Sequence, residues 1–215
     1  MFTGIVQEIG SVVSAGRGPE IVHFEIACPT IRPRIGVGDS VAIDGCDLTA
    51  TSLTPAGFRC DATKETLSKT ILGELAVGSR VNLELSLTPS TPISGHIVLG
   101  HIDGVGTVHS LKRTGDQAEI VVAPPRELMR FIAPKGSIAV SGVGLTVVDV
   151  TADAFSSWLI PYTLENTTLG LMRARSKVNV EVDILARYVV RALEAGVRLR
   201  GEGVTEEFLK DHGFA

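Results

Sequence analysis

Ser40-Val41-Ala42-Ile43-Asp44-Gly45 recurs 97 residues further along the chain as Ser137-Ile138-Ala139-Val140-Ser141-Gly142. The match continues beyond this stretch, and residues 40–84 agree with residues 137–181 at 16 of 45 positions without a gap. Unrelated sequences share only a few residues by chance over such a length, so the chain contains an internal duplication. The start of each copy also matches after a shift of one residue, with Gly4-Ile5-Val6 corresponding to Gly100-His101-Ile102.

Each copy has the residue pattern of a small β-barrel. Val, Ile and Thr are frequent, and Gly and Pro divide them into short alternating runs that are typical of strands. Roughly six strands of this length close best as a barrel, because closure removes the exposed edges. The segment from His96 to His101 is also predicted to be a strand, on which the two histidines face opposite sides and cannot share a metal ion.

After the second copy, the period of the apolar residues changes from 2 to 3.6. Leu185, Tyr188, Val189, Ala192 and Leu193 then lie on one face of a predicted helix. Asp183 is placed to begin this helix and Gly196 to end it, and a further helical turn is expected at 205–209. Because a barrel keeps a largely polar outer face, we expect the apolar stripe to pack against a partner subunit.

The composition excludes several classes of protein. The chain of 215 residues is 44% hydrophobic and 20% charged, and its net charge of −4 includes no basic patch for nucleic acid. It has neither the basic start of a signal peptide nor an apolar run of roughly 20 residues that could cross a bilayer. Cys28, Cys46 and Cys60 lack the spacing of a metal site and are expected to be free thiols, which favours a cytoplasmic protein.

Several motifs resemble those of riboflavin synthase. They are Met1-Phe2-Thr3-Gly4-Ile5, GHIVLGHIDG at 95–104, two Gly-x-x-Leu-Thr strands, Leu159-Ile160-Pro161, two Val-Asn-x-Glu strands and the terminal segment 208–214. The resemblance covers essentially the whole chain in order. It implies an all-β fold of two tandem six-stranded Greek-key barrels, at 1–86 and 95–183, followed by a C-terminal helix and tail at 184–215. It also implies a homotrimer without a metal or an organic cofactor.

The reaction of that family joins two molecules of 6,7-dimethyl-8-ribityllumazine. One molecule donates a four-carbon unit to the other, which gives riboflavin and a ribitylaminopyrimidine. The resemblance implies that each barrel binds one lumazine and that the N-terminal barrel of one subunit faces the C-terminal barrel of its neighbour. Proximity and orientation would then supply much of the catalysis. Lumazine synthase is a further candidate partner.

Residue-by-residue transfer from the family gives two expected pockets. The first would use Gly4-Ile5-Val6, with residues 48–49 and 61–66, and the second would use Gly100-His101-Ile102, with residues 135, 145–146 and 158–163. The expected catalytic residues are Asp47, His101, Ser40 and Thr146. The expected substrate-binding residues are Phe2, Gly4, Ile5, Val6, Leu48, Thr49, Asp61, Ala62, Thr63, Lys64, Glu65, Thr66, Gly100, Ile102, Lys135, Gly144, Leu145, Trp158, Leu159, Ile160, Pro161, Tyr162, Thr163 and Asp183.

Asp47 and Gly144 depart from the family pattern, which has a cysteine and a serine at these positions. Cys46 cannot replace that cysteine, because a shift of one residue on a strand turns a side chain to the opposite face. An aspartate could act as a general base or hold a water molecule, but it is not a thiolate nucleophile. Simpler roles stay open for Phe2, as a plug of a barrel end, and for Lys135 and Glu65, as solvated residues of turns.

Three functions are therefore compatible with the sequence. The first is a riboflavin synthase with a modified site. The second is a non-catalytic paralogue that binds a lumazine or a flavin. The third is a paralogue with altered chemistry on a lumazine or a pterin.

Overall fold

The computed structural model describes residues 1–18, 20–196 and 210. Within these residues, two sets of six strands follow each other along the chain. The first set is β1 (Glu8–Arg17), β2 (Ile21–Ala27), β3 (Ser40–Ile43), β4 (Cys46–Leu53), β5 (Gly57–Thr63) and β6 (Arg80–Leu85), with the helix α1 (Lys64–Lys69) after β5. The second set is β7 (Gly104–Thr114), β8 (Gln117–Ala123), β9 (Ser137–Val140), β10 (Val143–Thr146), β11 (Phe155–Leu159) and β12 (Lys177–Val182), with α2 (Pro161–Asn166) after β11 and α3 (Ile184–Glu194) after β12.

The first set forms a closed barrel in the order β1-β2-β5-β4-β3-β6. Its strands alternate between the core and the surface, so β5 buries Phe58, Cys60 and Ala62 and exposes the residues between them. A register shift between Val12 and Ser14 marks a bulge in β1, which bends the strand enough to pair with both β2 and β6.

The second set has the same circular order, β10-β9-β12-β7-β8-β11. Its two end strands, β10 and β11, lie side by side and are joined by an irregular seam. Ser157 Oγ donates to Thr146 O at 2.7 Å, and Val148 N donates to Ser156 O at 2.8 Å. The predicted fold of two tandem six-stranded barrels with a C-terminal helix is confirmed.

The two barrels meet around a small apolar cluster. Phe2 and Val98 form an antiparallel bridge, with each backbone N–H donating to the other carbonyl at 2.7 and 3.1 Å, and Ala42 and Ala139 pack beside them. Gly45 and Gly142 also touch, and a Cβ atom on either would lie 2.7 Å from the backbone nitrogen of the other. Both have a positive φ, so only glycine allows this contact between the barrels.

Two extended segments leave this junction, and we name them the first arm (residues 2–6) and the second arm (residues 98–102). The predicted strand from His96 to His101 is wrong, because only Val98 makes a β-bridge there. The second arm instead runs along the surface between the barrels. Its backbone is held by side chains and by isolated hydrogen bonds rather than by a sheet.

The helix α3 has the predicted caps. Asp183 Oδ1 accepts a hydrogen bond from Leu185 N at 2.9 Å, and Gly196 follows the helix with φ +68°. The helix contacts the second barrel through Arg187, which binds Asp103 and lies 5.4 Å over the Phe131 ring.

The apolar stripe of α3 faces away from the barrel, and four of its side chains are 59–68% exposed: Leu185, Tyr188, Val189 and Leu193. The described residues of the chain therefore leave the stripe uncovered. None of the helices within the described residues has the length and apolar character needed to span a membrane. The predicted turn at 205–209 lies outside the described residues.

Candidate active site

The two arms are exchanged between the barrels. Val6 packs into the core of the second barrel, and Ile102 packs against the core of the first. Gly144 N donates to Gly4 O at 2.8 Å on the second barrel, and Asp47 N donates to Gly100 O at 3.0 Å on the first. The expectation that residues 4–6 line the first pocket and residues 100–102 the second is therefore wrong. The arms pass each other at the bridge between Phe2 and Val98 before either reaches a site.

A cleft of about 290 Å³ lies where the second arm meets β4 and α1 of the first barrel. Asp47 is half-buried on the outer face of β4, between the buried Cys46 and Leu48. Its Oδ1 atom is buried and has no hydrogen-bond partner among the described residues, so it is available to a ligand. The cleft is lined by Cys46, Asp47, Glu65, Thr66, Lys69, Thr70, Gly100, His101 and Ile102.

Other expected residues of the first site lie along the same outer face. Ser40 of β3 pairs with Thr49 of β4, and Asp61 and Thr63 are exposed on β5. Asp61 Oδ1 lies 2.7 Å from His23 Nδ1, so this carboxylate already has a partner. By contrast, the side chains of Leu48 and Ala62 point into the barrel core and could offer a ligand only their backbone atoms.

Glu65 lies at the rim of the cleft and forms a salt bridge with Lys69, at 2.8 Å between Oε1 and Nζ. The hydrogen bond from Lys69 lowers the pKa of Glu65, and both side chains are exposed. Lys64, one residue earlier, pairs with Glu20 instead. The rim of the first site therefore carries paired charges, whereas Asp47 is its free acceptor.

The equivalent site on the second barrel is more apolar. Trp158, Ile160 and Tyr162 are 42%, 54% and 64% exposed where β11 continues into α2. Thr146 is exposed at the end of β10, and Pro161 and Thr163 belong to α2. This surface suits a flat ring more than a charged group. Leu145 and Leu159 are buried in the barrel core.

Gly144 lies on β10, two residues before Thr146, and packs against the first arm. A Cβ atom there would lie 3.3 Å from both Gly4 O and His96 Nδ1. Burial lowers the pKa of His96, against the opposing effect of Asp183, so its imidazole is neutral at neutral pH. Because its Nδ1 atom lies beside Gly144, His96 belongs to the second site, whereas His101 lines the cleft of the first.

Three residues that were expected to bind substrate have other roles in the structure. Phe2 is fully buried with Ala42, Val98 and Ala139, so it supports the two arms and is closed to a ligand in this structure. Asp183 uses Oδ1 as the cap of α3. Lys135 is exposed on a turn, where its φ of +66° and its bond from N to Val147 O give it a local structural role.

The sequence did not single out Glu84 and Glu181, which hold the two arms, or Lys69 and Thr70 at the first cleft. A signal for the two glutamates exists, because each ends a Val-Asn-x-Glu motif at the same place in its repeat. The alternation of β6 and β12 turns each glutamate away from the core of its own barrel, and a glutamate that is buried there needs polar partners. Cys46 also reaches the cleft, but burial raises the pKa of its thiol to about 12.

Two barrels with equivalent sites, each completed by an arm from the other repeat, define a class of two-site ligand-binding double-barrel proteins. The family model described as the lumazine binding domain matches the chain twice, at residues 3–86 and 99–183. The chain therefore belongs to the lumazine-binding double-barrel family.

Known relatives extend this match over the whole length. The chain is 35% identical to the riboflavin synthase of Actinobacillus pleuropneumoniae over 215 residues, which is 100% of both chains. It is 37% identical to the riboflavin synthase of Photobacterium phosphoreum over 194 residues, which is 90% of this chain and 89% of that one. A crystal structure of LumP complexed with riboflavin is also similar, with a TM-score of 0.80 and 26% identity over 85% of this chain and 99% of LumP.

Proposed function

We propose that the protein is a riboflavin synthase. It would convert two molecules of 6,7-dimethyl-8-ribityllumazine into riboflavin and 5-amino-6-ribitylaminopyrimidinedione by transfer of a four-carbon unit. The observation that carries this proposal is the pair of equivalent sites, in which Asp47 binds Gly100 and Gly144 binds Gly4. A reaction between two copies of one substrate requires two related sites, and the two substrate molecules supply all the atoms and electrons of the products.

In the first site, we assign Asp47 as the base or the residue that holds the attacking water. Its free, buried Oδ1 atom supports this role, because a carboxylate shielded from solvent retains acceptor capacity for a bound proton or water. His101 lies on the second arm in the same cleft and is our candidate proton carrier. Ser40 and Thr49 supply hydroxyl groups on the adjoining face.

In the second site, the exposed Trp158, Ile160 and Tyr162 would hold the ring, and Thr146 would supply a hydroxyl group. Both sites lie at the surface of the single chain, where Asp47 is half-buried and Trp158 and Tyr162 are exposed. We therefore propose that the first site of one subunit faces the second site of its neighbour in a homotrimer. The uncovered stripe of α3 supports this assembly.

A second candidate function is ligand binding without turnover. It is favoured by the absence of the usual cysteine and serine at Asp47 and Gly144 and by the similarity to LumP. The two exposed second-site aromatic residues favour the synthase, since a protein that holds one chromophore has no need of a second ring site.

The deciding experiment is incubation of the purified protein with 6,7-dimethyl-8-ribityllumazine, followed by chromatographic detection of riboflavin. We expect riboflavin and the pyrimidinedione in equal amounts. A yellow or fluorescent protein that retains lumazine unchanged would instead establish the binding function. Neither product nor retained lumazine would indicate another substrate.

We further propose a cytoplasmic location, which the three free thiols support. Lumazine synthase is the macromolecular partner that we expect, because its product is the substrate of this reaction.

A further inference from the structure

Two buried carboxylates fix the arms at the barrel boundary. Glu181, on β12, accepts hydrogen bonds from Leu99 N at 2.6 Å and from Gly100 N at 3.0 Å, one at each oxygen. Glu84, on β6, is bound in the same way by Thr3 N at 2.7 Å and by Gly4 N at 3.1 Å. Both side chains are about 5% exposed or less. In each repeat, one buried glutamate thus binds two consecutive backbone N–H groups of an arm.

We propose that Glu181 is a positioning residue, which holds the second arm across the barrel boundary so that His101 lies beside Asp47. Glu84 holds the first arm against Gly144 in the same manner. The identity of the reaction rests on the proposed function above. The placement of the arms is independent of that function, and it can be measured without any substrate.

Gly100 links Glu181 to Asp47 through its backbone. Its N–H donates to the Glu181 carboxylate, and its carbonyl accepts from Asp47 N at 3.0 Å. It has φ +83°, and a Cβ atom would lie 2.5 Å from Asp47 Cβ, so the contact leaves no space for a shift. Any movement of the carboxylate is therefore passed directly to the next residue, His101.

His101 lies between two clefts. One is the cleft with Asp47 and Thr66, and the other lies between the second arm and α3, where Glu181 and Arg187 line it. His101 and Ile102 of the arm line both clefts. If Glu181 released the arm, His101 could turn from the first cleft towards the second, and the first site would lose its proton carrier.

The charge of Glu181 matters for the docking of the second arm, because only the ionised carboxylate accepts hydrogen bonds at both oxygens. Burial raises the pKa of Glu181 to about 7, while the N–H groups of the arm act in the opposite direction. The neighbouring ionisable groups are Asp103, Cys46 of β4 and Arg187 of α3, which binds Asp103. The N–H groups of the arm therefore favour the ionised form, whereas burial favours the neutral form.

Hydrogen exchange of the full-length protein tests the proposal. An amide at 181 can accept at only one atom, so Glu181→Gln should speed exchange at Leu99 and Gly100 by about 10-fold to 100-fold, the loss of one charge-assisted hydrogen bond. Exchange at Thr3 and Gly4 should be unchanged. Glu84→Gln is the matched control and should give the reverse pattern. Unchanged exchange in both arms, or equal acceleration of both arms in either variant, would overturn the proposal.

The wild-type protein gives a second measurement that needs no variant to fold. The four amides that bind the two glutamates should all be protected from exchange in the wild-type protein, and exchange at the rate of an unstructured peptide would overturn the proposal. With substrate, Glu181→Gln should lower kcat about 10-fold to 100-fold, the typical effect of a small misplacement. Arms that respond as expected in a protein that makes no riboflavin would refute only the proposed function. Riboflavin formation with unaltered exchange and kcat would refute only the positioning role.

Discussion

Asn82 and Asn179 occupy equivalent positions in the two barrels, and each reaches across the boundary to the other repeat. Asn82 Nδ2 donates to Ser141 O at 2.8 Å, and its Oδ1 accepts from Thr168 N at 2.7 Å. Both asparagines are buried, with at most 1% of their surface exposed. One amide therefore satisfies a donor and an acceptor of the opposite barrel at the same time.

Asn179 repeats this pair of bonds in the opposite direction. Its Nδ2 donates to Asp44 O at 2.9 Å, and its Oδ1 accepts from Ile71 N at 2.8 Å. These partners are the counterparts of those bound by Asn82, at the same offset along the chain. The two barrels are therefore related by an approximate two-fold axis, which places the two sites in equivalent surroundings.

We expect Asn82→Ala and Asn179→Ala each to lower the free energy of unfolding by about 2 to 4 kcal/mol, because each leaves a buried donor and a buried acceptor unpaired. Urea denaturation checks this. Asn166→Ala is the control, since Asn166 is exposed and bonds only within α2, and its effect should stay within about 0.5 kcal/mol. Equal effects of all three variants would contradict a role of the asparagines at the boundary.

We expect Asp47→Asn to reduce riboflavin formation by about 100-fold or more, the typical effect of losing a general base. The affinity for lumazine should change little, because the amide keeps the shape of the carboxylate. Single-turnover kinetics and a fluorescence titration separate the two quantities. Unaltered turnover would exclude Asp47 from the chemistry.

The combined change of Asp47→Cys and Gly144→Ser restores both family residues. A large gain in riboflavin formation would mean that the protein has drifted from synthesis towards binding, and no gain would mean that its chemistry is built around Asp47. The serine must fit beside His96 Nδ1 and Gly4 O, each 3.3 Å from its Cβ position, so a displacement of a few tenths of an ångström is expected. The variant Gly144→Ala measures the effect of the added Cβ atom alone, without the hydroxyl group of serine.

We expect α3 to hold the subunits together. A chain that ends near Asp183 should lose the trimer in sedimentation velocity, because the apolar stripe is absent. Leu185→Glu with Val189→Glu is a milder variant, which keeps the helix and its contact through Arg187. If either variant sediments as the full protein does, the helix is not the element of assembly.

We expect no thiol of the native protein to react with a disulfide reagent near pH 7.5 before the protein unfolds. Cys28, Cys46 and Cys60 are buried, and burial raises the pKa of each thiol to about 12, so the reactive thiolate is scarce. Three thiols should titrate after denaturation. Asp47→Cys is the positive control, because residue 47 lines the open cleft. Rapid labelling of Cys46 in the native protein would contradict its placement.

The duplication, the strand content and the last helix could be predicted from the sequence because each depends on local pattern. Asp183 and Gly196 cap α3 where a helix needs a side-chain acceptor and a residue of positive φ. The alternation in β4 likewise places Asp47 on the outer face and Cys46 in the core. The departures at Asp47 and Gly144 were also visible, because the resemblance to the riboflavin synthase family leads one to expect a cysteine and a serine there.

Only the tertiary structure decided which barrel each arm completes. The two copies begin alike, so Gly4-Ile5-Val6 and Gly100-His101-Ile102 suit either barrel, and the sequence favours neither partner. The choice is made by long-range contacts: the bridge between Phe2 and Val98 brings the arms together, and Glu84 and Glu181 then hold each arm across the boundary. Such contacts join residues about 80 or more positions apart, a distance over which local propensity carries no information.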